Sequence, residues 1–163
     1  MKTIPWEVDN SKFTDRYVAG FLDGDGSIVA TVEHRPERRR FPYRVRLKIN
    51  FTQHNRHYDF LLKLQQFLGG IGSIRNISSH NLAELVIQDR KQVKGILERL
   101  LPYLVLKERQ AKLILAAIEI YDSAIVNVRS SLSEKEFQHV LAIIRQVRNL
   151  NSGTGGKKKL GVV

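Results

Sequence analysis

With 163 residues, 42% of them hydrophobic, the chain can bury one substantial core but is short for two domains. Its formal net charge of +11 predicts a polyanionic partner such as nucleic acid, because Lys and Arg release the counterions that are condensed on phosphates. The lack of cysteine excludes disulfides and Cys-based zinc sites, and without an apolar run of about 18 residues or a signal sequence we expect no membrane partner.

The first part of the chain predicts a helix followed by a long β-hairpin. Asn10 and Ser11 offer N-cap oxygens for a helix over residues 12–25, which ends in the glycine-rich segment DGDG. Two strands are expected at 27–34 and 43–53, joined by a basic turn that contains proline. The second strand alternates strictly, which predicts one apolar face and one polar face. The apolar face has Val45, Leu47, Ile49 and Phe51, and the polar face has Arg44, Arg46, Lys48, Asn50 and Thr52.

The rest of the chain predicts a second hairpin between helices. A helix over 60–68 stops at Gly69 and Gly70, strands follow at 73–77 and 83–88, and Asp89 can cap the next helix. Further helices are expected over 108–121 and from Ser133, which forms a capping-box pattern with Glu136. The order αββαββα with appended helices predicts an α+β fold, in which helices cover one face of a four-stranded antiparallel sheet. We expect one domain over residues 1–151 and a disordered basic tail over 152–163.

Two acids lie at the end of the first predicted helix, where the helix dipole is negative. Asp23 and Asp25 are unfavourable there unless a cation binds, and carboxylate and carbonyl oxygens suit Mg²⁺ best. DGDGS also resembles the start of an EF-hand loop, but the chain has Ile28 and His34 where that loop needs Gly and Glu. The remaining alternative is a simple helix stop built from turn-forming residues.

Small residues on the same helix predict close contact with another helix. Gly20 and Gly24 are four positions apart and therefore share one helical face, with Ala19 beside them. Glycine inside a helix costs about 0.5–1 kcal/mol relative to alanine, which packing against a partner helix could offset. The acidic pair and this contact face share one helix end.

The segment VAGFLDGDGS at residues 18–27 resembles the LAGLIDADG motif of homing endonucleases in its small residues, its glycine and both acidic positions. The similarity extends to the element order, to the dipeptide Thr52-Gln53 and to LPYLVLKERQA at residues 101–111, and it covers about two-thirds of the chain closely. The resemblance to single-motif members implies the LAGLIDADG endonuclease fold and Mg²⁺- or Mn²⁺-dependent cleavage of double-stranded DNA that leaves 3′ overhangs. It also implies a homodimer with Ala19, Gly20 and Gly24 at the interface.

The same resemblance assigns roles by position. It implies that Asp25 is a catalytic metal ligand, that Gly24 contributes its carbonyl to the metal, and that Asp23 orients the helix end or holds an outer-shell water. It implies Lys107 as the active-site base or charge stabiliser, and Gln53 as the residue that orders the water network. Two subunits would bring together two copies of the site, which suits two-metal phosphodiester hydrolysis.

The polar side of the predicted sheet matches the chemistry of base edges. Arg and Lys donate to guanine, Asn pairs with adenine, and Glu accepts from cytosine, although a merely solvated face is the ordinary alternative. A strand of about nine residues spans roughly nine base pairs, so two subunits could read about 18 pairs of a near-palindromic site. Arg38, Arg39 and Arg40 at the hairpin tip and Lys157 to Lys159 in the tail would add phosphate contacts or non-specific attraction. The residues expected to contact DNA are Thr31, Glu33, Arg35, Arg44, Arg46, Lys48, Asn50, Arg75 and Glu84.

The leading hypothesis is therefore a sequence-specific, intron-encoded DNA endonuclease that acts within the cell, in the cytoplasm or an organelle. One alternative is an intron maturase or repressor that binds RNA or DNA without cutting, and the retained Asp25, Lys107 and Gln53 argue against it. Another is a structural RNA-binding protein such as a ribosomal component. That alternative explains the charge and size but leaves the acidic, glycine-rich helix end unexplained.

Overall fold

Four antiparallel strands form one sheet in the computed structural model, which describes residues 8–39, 41–127 and 131–152. The strands are β1 (Gly26–His34), β2 (Tyr43–His54), β3 (Ser73–Ile77) and β4 (Leu82–Ile87), and they lie in the order β1-β2-β4-β3. The two predicted hairpins are therefore joined through the pairing of β2 with β4. All of the predicted strand ends fall within one residue of these bounds.

Five α-helices accompany the sheet in the described part of the chain. They are α1 (Asp15–Asp25), α2 (Tyr58–Phe67), α3 (Arg90–Leu100), α4 (Glu108–Val126) and α5 (Glu134–Leu150). The order αββαββα, followed by two further helices, confirms the predicted α+β fold. Among the described helices, none is both long enough and apolar enough to cross a lipid bilayer.

One face of the sheet is covered by helices and contributes to the core. On β1 and β2 the buried side chains alternate with more exposed ones, as a strand with one covered face requires. The covered face of these two strands has Ile28, Ala30, Leu47, Ile49 and Phe51, all of them at most 3% exposed. The helices α1, α4 and α5 all pack against these strands, which leaves the opposite face of the sheet for a partner.

The predicted start of α1 at residue 12 is wrong. Asn10 and Ser11 lie in a single 3₁₀ turn, and the N-cap of α1 is Thr14, whose hydroxyl accepts the Tyr17 amide at 3.1 Å. Phe13 explains the break, because it is buried against two aromatic rings of α2 and has an extended backbone between the turn and the helix.

Other helix ends follow the predicted signals. Gly69 and Gly70 adopt positive φ angles of 95° and 73° after α2, and Asp89 accepts the amide three residues further on at 3.0 Å. Ser133 and Glu136 form both hydrogen bonds of the predicted capping box.

The helix α4 is longer than predicted, since it ends at Val126 and not near residue 121. The segment from residue 122 to the helix end contains no glycine or proline, and Asn127 caps the helix, with its side chain donating to the Ser123 carbonyl at 3.0 Å. The predicted basic tail falls outside the described residues from position 153 onward, as does Arg40 of the hairpin tip.

Candidate active site and nucleic-acid interface

The helix α1 passes directly into β1 at Gly26. The Gly26 amide donates to the Leu22 carbonyl and closes the helix, and the residue then pairs with Phe51 on β2. A Cβ atom at Gly26 would lie 2.6 Å from Leu22 Cδ1 and 2.9 Å from the Asn50 carbonyl oxygen, so a side chain has no room there. This close approach sets Asp25 at the point where helix and strand meet.

Asp25 and Gly24 are both exposed at this helix end. A free carboxylate beside the last carbonyls of a helix offers hard oxygen ligands in a region of negative potential, which suits a divalent cation. The chain's own residues therefore fit the metal role implied by the resemblance.

Asp23 has different surroundings, although it lies only two residues earlier. Its Oδ2 accepts the amides of Val105 at 2.8 Å and Leu106 at 3.2 Å, and its Oδ1 accepts the amide of Lys107 at 3.0 Å. Of the two roles expected for Asp23, the structure favours orientation of the helix end, because its carboxylate is bonded to backbone amides.

Lys107 lies in the same site, immediately before α4. Its Nζ donates to the Asp23 carbonyl, and its side chain is half-buried. Partial burial lowers the pKa of the Lys107 ammonium, and the nearby charges of Asp23 and Asp25 offset part of that effect. The structure thus brings Lys107 and Asp25 together from positions 82 residues apart in the sequence.

Gln53 lies at the end of β2, two residues beyond the Phe51 that pairs with Gly26. By strand alternation it shares the helix-covered side of the sheet with Phe51. Its Oε1 accepts the amide of His54 at 2.9 Å. Gln53 is therefore next to the junction of α1 and β1, and its role in ordering water remains a prediction.

The residues expected to contact DNA lie together on the uncovered face of the sheet. The cross-strand partners include Thr31 with Arg46 and Glu33 with Arg44, while Arg75 on β3 faces Glu84 on β4. Lys48 and Asn50 continue the same row on β2, and Arg35 follows the end of β1. The strand pairing confirms this shared face; the DNA contacts themselves remain predictions.

Glu33 organises the outer part of this face. Arg46 Nε lies 2.7 Å from Glu33 Oε1, and both Arg46 Nη2 and Arg35 Nη2 lie 3.1 Å from Oε2. Desolvation opposes ionisation of Glu33, but the hydrogen bonds from the two arginines outweigh it and lower the pKa of the carboxyl. The two guanidinium groups are therefore held in fixed directions.

A second acid plays the same part on the β3-β4 side. Glu84 Oε2 accepts from Arg75 Nε at 2.9 Å and from Arg75 Nη2 at 2.7 Å, and its Oε1 is 3.4 Å from the Thr52 hydroxyl. In contrast, Arg44 and Lys48 form no ion pair with the described part of the chain. Fixed and free cations thus alternate along the face.

Asn50 corrects one detail of the expected interface. Its side chain lies on the uncovered face but is only 9% exposed, so it does not project freely toward a base. Its Oδ1 is buried and has no hydrogen-bond partner among the described residues. A buried amide oxygen without a partner is costly, and a ligand or water at this face would satisfy it.

The exposed side of α1 presents Gly20 and Gly24, and a Cβ atom at either position would meet nothing within 4 Å. Ala19 was expected to share this surface, but it is fully buried in the core of the chain because its side chain points inward. Next to the same helix end, Val105 and Leu106 are 79% and 74% exposed. The open surface is therefore formed by the glycines and these two apolar side chains.

A family model described as LAGLIDADG endonuclease matches residues 18–121. The chain is also 33% identical over 135 residues to the DNA endonuclease I-CreI of Chlamydomonas reinhardtii, an alignment that covers 83% of this chain and 77% of that protein. The chain belongs to the LAGLIDADG endonuclease family. It is 36% identical over 111 residues to the DNA endonuclease I-CvuI of Chlorella vulgaris, with 68% of this chain and 66% of that protein covered.

Solved structures of the homing endonuclease I-CvuI share the fold of this LAGLIDADG chain. A complex of I-CvuI with its target in the presence of calcium superposes with a TM-score of 0.75 at 29% identity, covering 89% of this chain and 84% of that one. A complex of I-CvuI with the I-CreI target in the presence of magnesium, in which the DNA is not cleaved, gives a TM-score of 0.74 at 28% identity over the same shares. The α+β architecture of the family is thus confirmed.

Within this LAGLIDADG site, the roles of Asp25, Lys107 and Gln53 remain predictions, and sequence reasoning missed what holds Lys107 in place. Three backbone amides donate hydrogen bonds to the Asp23 carboxylate from residues that are 82 to 84 positions away in the sequence. No local sequence pattern predicts these bonds. The ion pairs of Glu33 were missed for a related reason. Alternation predicted which residues share the face, but not which acid would bind which arginine.

Proposed function

We propose that the chain acts as a homodimer that cuts both strands of a long, near-palindromic DNA site in a Mg²⁺-dependent reaction and leaves 3′ overhangs. The observation that carries this proposal is that Lys107 is hydrogen-bonded to Asp23 at the end of the motif helix, two residues before the exposed Asp25. Beside it lies a sheet face lined with arginine, lysine and glutamate side chains that match base edges. An intron would be the encoding element, as the resemblance to intron-homing members implies.

Asp25 and the Gly24 carbonyl would hold the divalent ion, with Mn²⁺ as a substitute for Mg²⁺. When bound, such an ion activates water for attack on phosphorus and stabilises the charge on the leaving oxygen. The ammonium of Lys107 would stabilise the negative charge that develops on the phosphate, and Gln53 would orient water. The I-CvuI complexes with DNA in the presence of calcium and magnesium support a divalent ion here.

Two copies are needed because a duplex has two scissile phosphates and each chain supplies one Asp25. The open surface at Gly20 and Gly24 would let a second α1 approach closely, and it would place the two sites next to a two-fold axis. The two sheets would then occupy the major groove on either side, so that the sites face the minor groove between them. Cuts staggered across the minor groove leave 3′ overhangs.

Cleavage of a randomised duplex library tests the proposed reaction. We expect the purified protein to cut one family of related sequences when Mg²⁺ is present and to cut none when EDTA is added. Sequencing the product ends gives both the target and the polarity of the overhang. Failure to cut any duplex in Mg²⁺ or Mn²⁺ would contradict the proposal.

Sedimentation velocity tests the homodimer. A leucine at Gly20 meets no atoms of its own protomer within 4 Å of its Cβ position, so Gly20→Leu should fold but sediment as a monomer and lose cleavage. The matched control is Gly95→Leu on α3, which makes the same change at another open helical glycine and should remain a dimer. If the wild-type protein cut DNA as a monomer, the proposed homodimer would be wrong.

A further inference from the structure

Asp23 is the first acid of the motif, yet its carboxylate is occupied by the protein itself. A carboxylate has about four lone-pair positions for hydrogen bonds, and three backbone amides use three of those positions. Bonds from amides to an ionised oxygen are stronger than those between neutral groups. Asp23 is therefore poorly suited to take a metal ion or its water shell.

The segment that Asp23 binds needs an anchor. Residues 104–107 connect a 3₁₀ turn, Leu101–Tyr103, to the start of α4, and the side chains of Val105 and Leu106 are mostly exposed. Only Leu104 is buried in this connection. The amides of the next three residues all donate to the Asp23 carboxylate. These bonds replace the backbone hydrogen bonds that a helix or strand would otherwise provide.

Lys107 is held at both ends by the same residue. Its backbone amide donates to the Asp23 carboxylate at 3.0 Å, and its Nζ donates to the Asp23 carbonyl. Asp23 in turn belongs to the last turn of α1, two residues before Asp25. The distance between the Lys107 ammonium and the Asp25 carboxylate is thus set through a single intermediate residue.

We infer that Asp23 is a positioning residue that fixes Lys107 relative to Asp25 and does not bind the metal. The inference rests on the proposed function, in which Asp25 and Lys107 act on the phosphodiester. Displacing a reacting group by about 1 Å can cost about 100-fold in rate, which sets the scale of the effect.

A double-mutant cycle on the full chain tests this role, with the duplex selected by the library cleavage as substrate. Asp23→Asn should lower the single-turnover cleavage rate about 100-fold, while the affinity for that duplex in Ca²⁺ stays unchanged. Lys107→Met should lower the rate by a similar factor, and the double variant should lose little more than either single variant, because both changes remove one function. Rate losses that multiply in the double variant would overturn the inference.

Amide hydrogen exchange gives a second measurement that needs no cleavage. Asp23→Asn should speed exchange at Val105, Leu106 and Lys107 and leave the sheet amides unchanged, whereas unchanged exchange at those three positions would contradict the inference. The matched control is Asp15→Asn, which changes the same residue type on the same helix but breaks only the contact with Arg99 at 2.6 Å. This control should keep both the cleavage rate and the protection of residues 105–107.

The outcomes of these experiments distinguish a failure of this inference from a failure of the proposed function. If wild-type protein cuts nothing, or Lys107→Met cuts normally, the proposed function fails while the exchange experiment still tests the anchor. If Asp23→Asn shows no cooperative thermal unfolding, Asp23→Ser replaces it, since serine removes the carboxylate without turning an NH₂ group toward the three backbone amides. Loss of Mn²⁺ binding in either Asp23 variant would show that Asp23 is a metal ligand and would overturn the inference.

Discussion

The end of α1 and the uncovered face of the sheet both hold cationic side chains next to acids, but they do so in different ways. At the helix end, the Asp23 carboxylate accepts the backbone amides of Val105 and Lys107. The ammonium group of Lys107 also donates to the Asp23 carbonyl. On the sheet, the hydrogen-bond and ion-pair partners of the Glu33 and Glu84 carboxylates in the described part of the chain are all side chains. In the first arrangement one carboxylate is bonded to three consecutive backbone amides, whereas in the second both partners are side chains that can rotate.

This difference corresponds to two different tasks. Chemistry at a phosphate needs reacting groups at constant distances, which backbone anchoring provides. Recognition of a base sequence needs directed donors, and a carboxylate that orients an arginine also competes with the base for it.

The largest expected effect comes from removing the exposed acid of the helix end. Asp25→Asn should lower the cleavage rate by about 1000-fold or more, because an amide is a weak ligand for a hard divalent cation. Affinity for the selected duplex, measured by fluorescence anisotropy in Ca²⁺, should remain within about twofold, since the sheet is unchanged. If the variant cleaves at the wild-type rate, the catalytic site lies elsewhere.

A change of a single methyl group tests how rigid the helix end is. Gly26→Ala should lower the free energy of unfolding by about 1–3 kcal/mol, because its Cβ would lie 2.9 Å from the Asn50 carbonyl oxygen. Urea denaturation followed by circular dichroism measures this change. Gly95→Ala on α3 is the control, since its Cβ meets nothing within 4 Å and it lies outside the proposed dimer contact, and it should leave the protein as stable as wild type or more so. Equal stability of the two variants would show that the junction can relax.

Much of the fold was accessible from local sequence signals. The alternation along β2, the glycines after α2 and the capping box at Ser133 each depend on residues a few positions apart, and each was confirmed. The start of α1 was missed because the burial of Phe13 against α2 outweighed two good capping residues. Tertiary packing therefore decided the start of α1, which local signals placed three residues too early.

The site was accessible only in part, because its residues come from distant segments. Helix electrostatics predicted a role for Asp25, but Lys107 has no local signal and was predicted through the family resemblance alone. The orientation of Ala19 toward the core depends on how α1 rotates against the sheet, which the spacing of small residues does not specify. The same holds for the burial of Asn50 on a face that alternation predicts to be open.

On the sheet, an arginine that is held in a fixed direction by Glu33 should discriminate between base pairs better than a cation without an ion-pair partner does. Arg46→Ala should cost about 1–3 kcal/mol at one base-pair position of the target, measured by competition with single-substitution duplexes. Glu33→Gln should keep overall affinity but reduce discrimination at that position, because Arg46 loses its charged partner and takes more orientations. Unchanged selectivity in both variants would mean that the paired arginines contact only phosphate.

The smallest expected effect belongs to Lys48, which has no ion-pair partner in the described part of the chain. Lys48→Ala should weaken binding to target and non-target duplexes by a similar factor, since a free ammonium neutralises phosphate without reading a base. The slope of log affinity against log salt concentration should fall by about one unit, as expected for one lost phosphate contact. If Lys48→Ala instead changed selectivity at a single base pair, free cations would read sequence as well, and the proposed division between paired and unpaired side chains would be wrong.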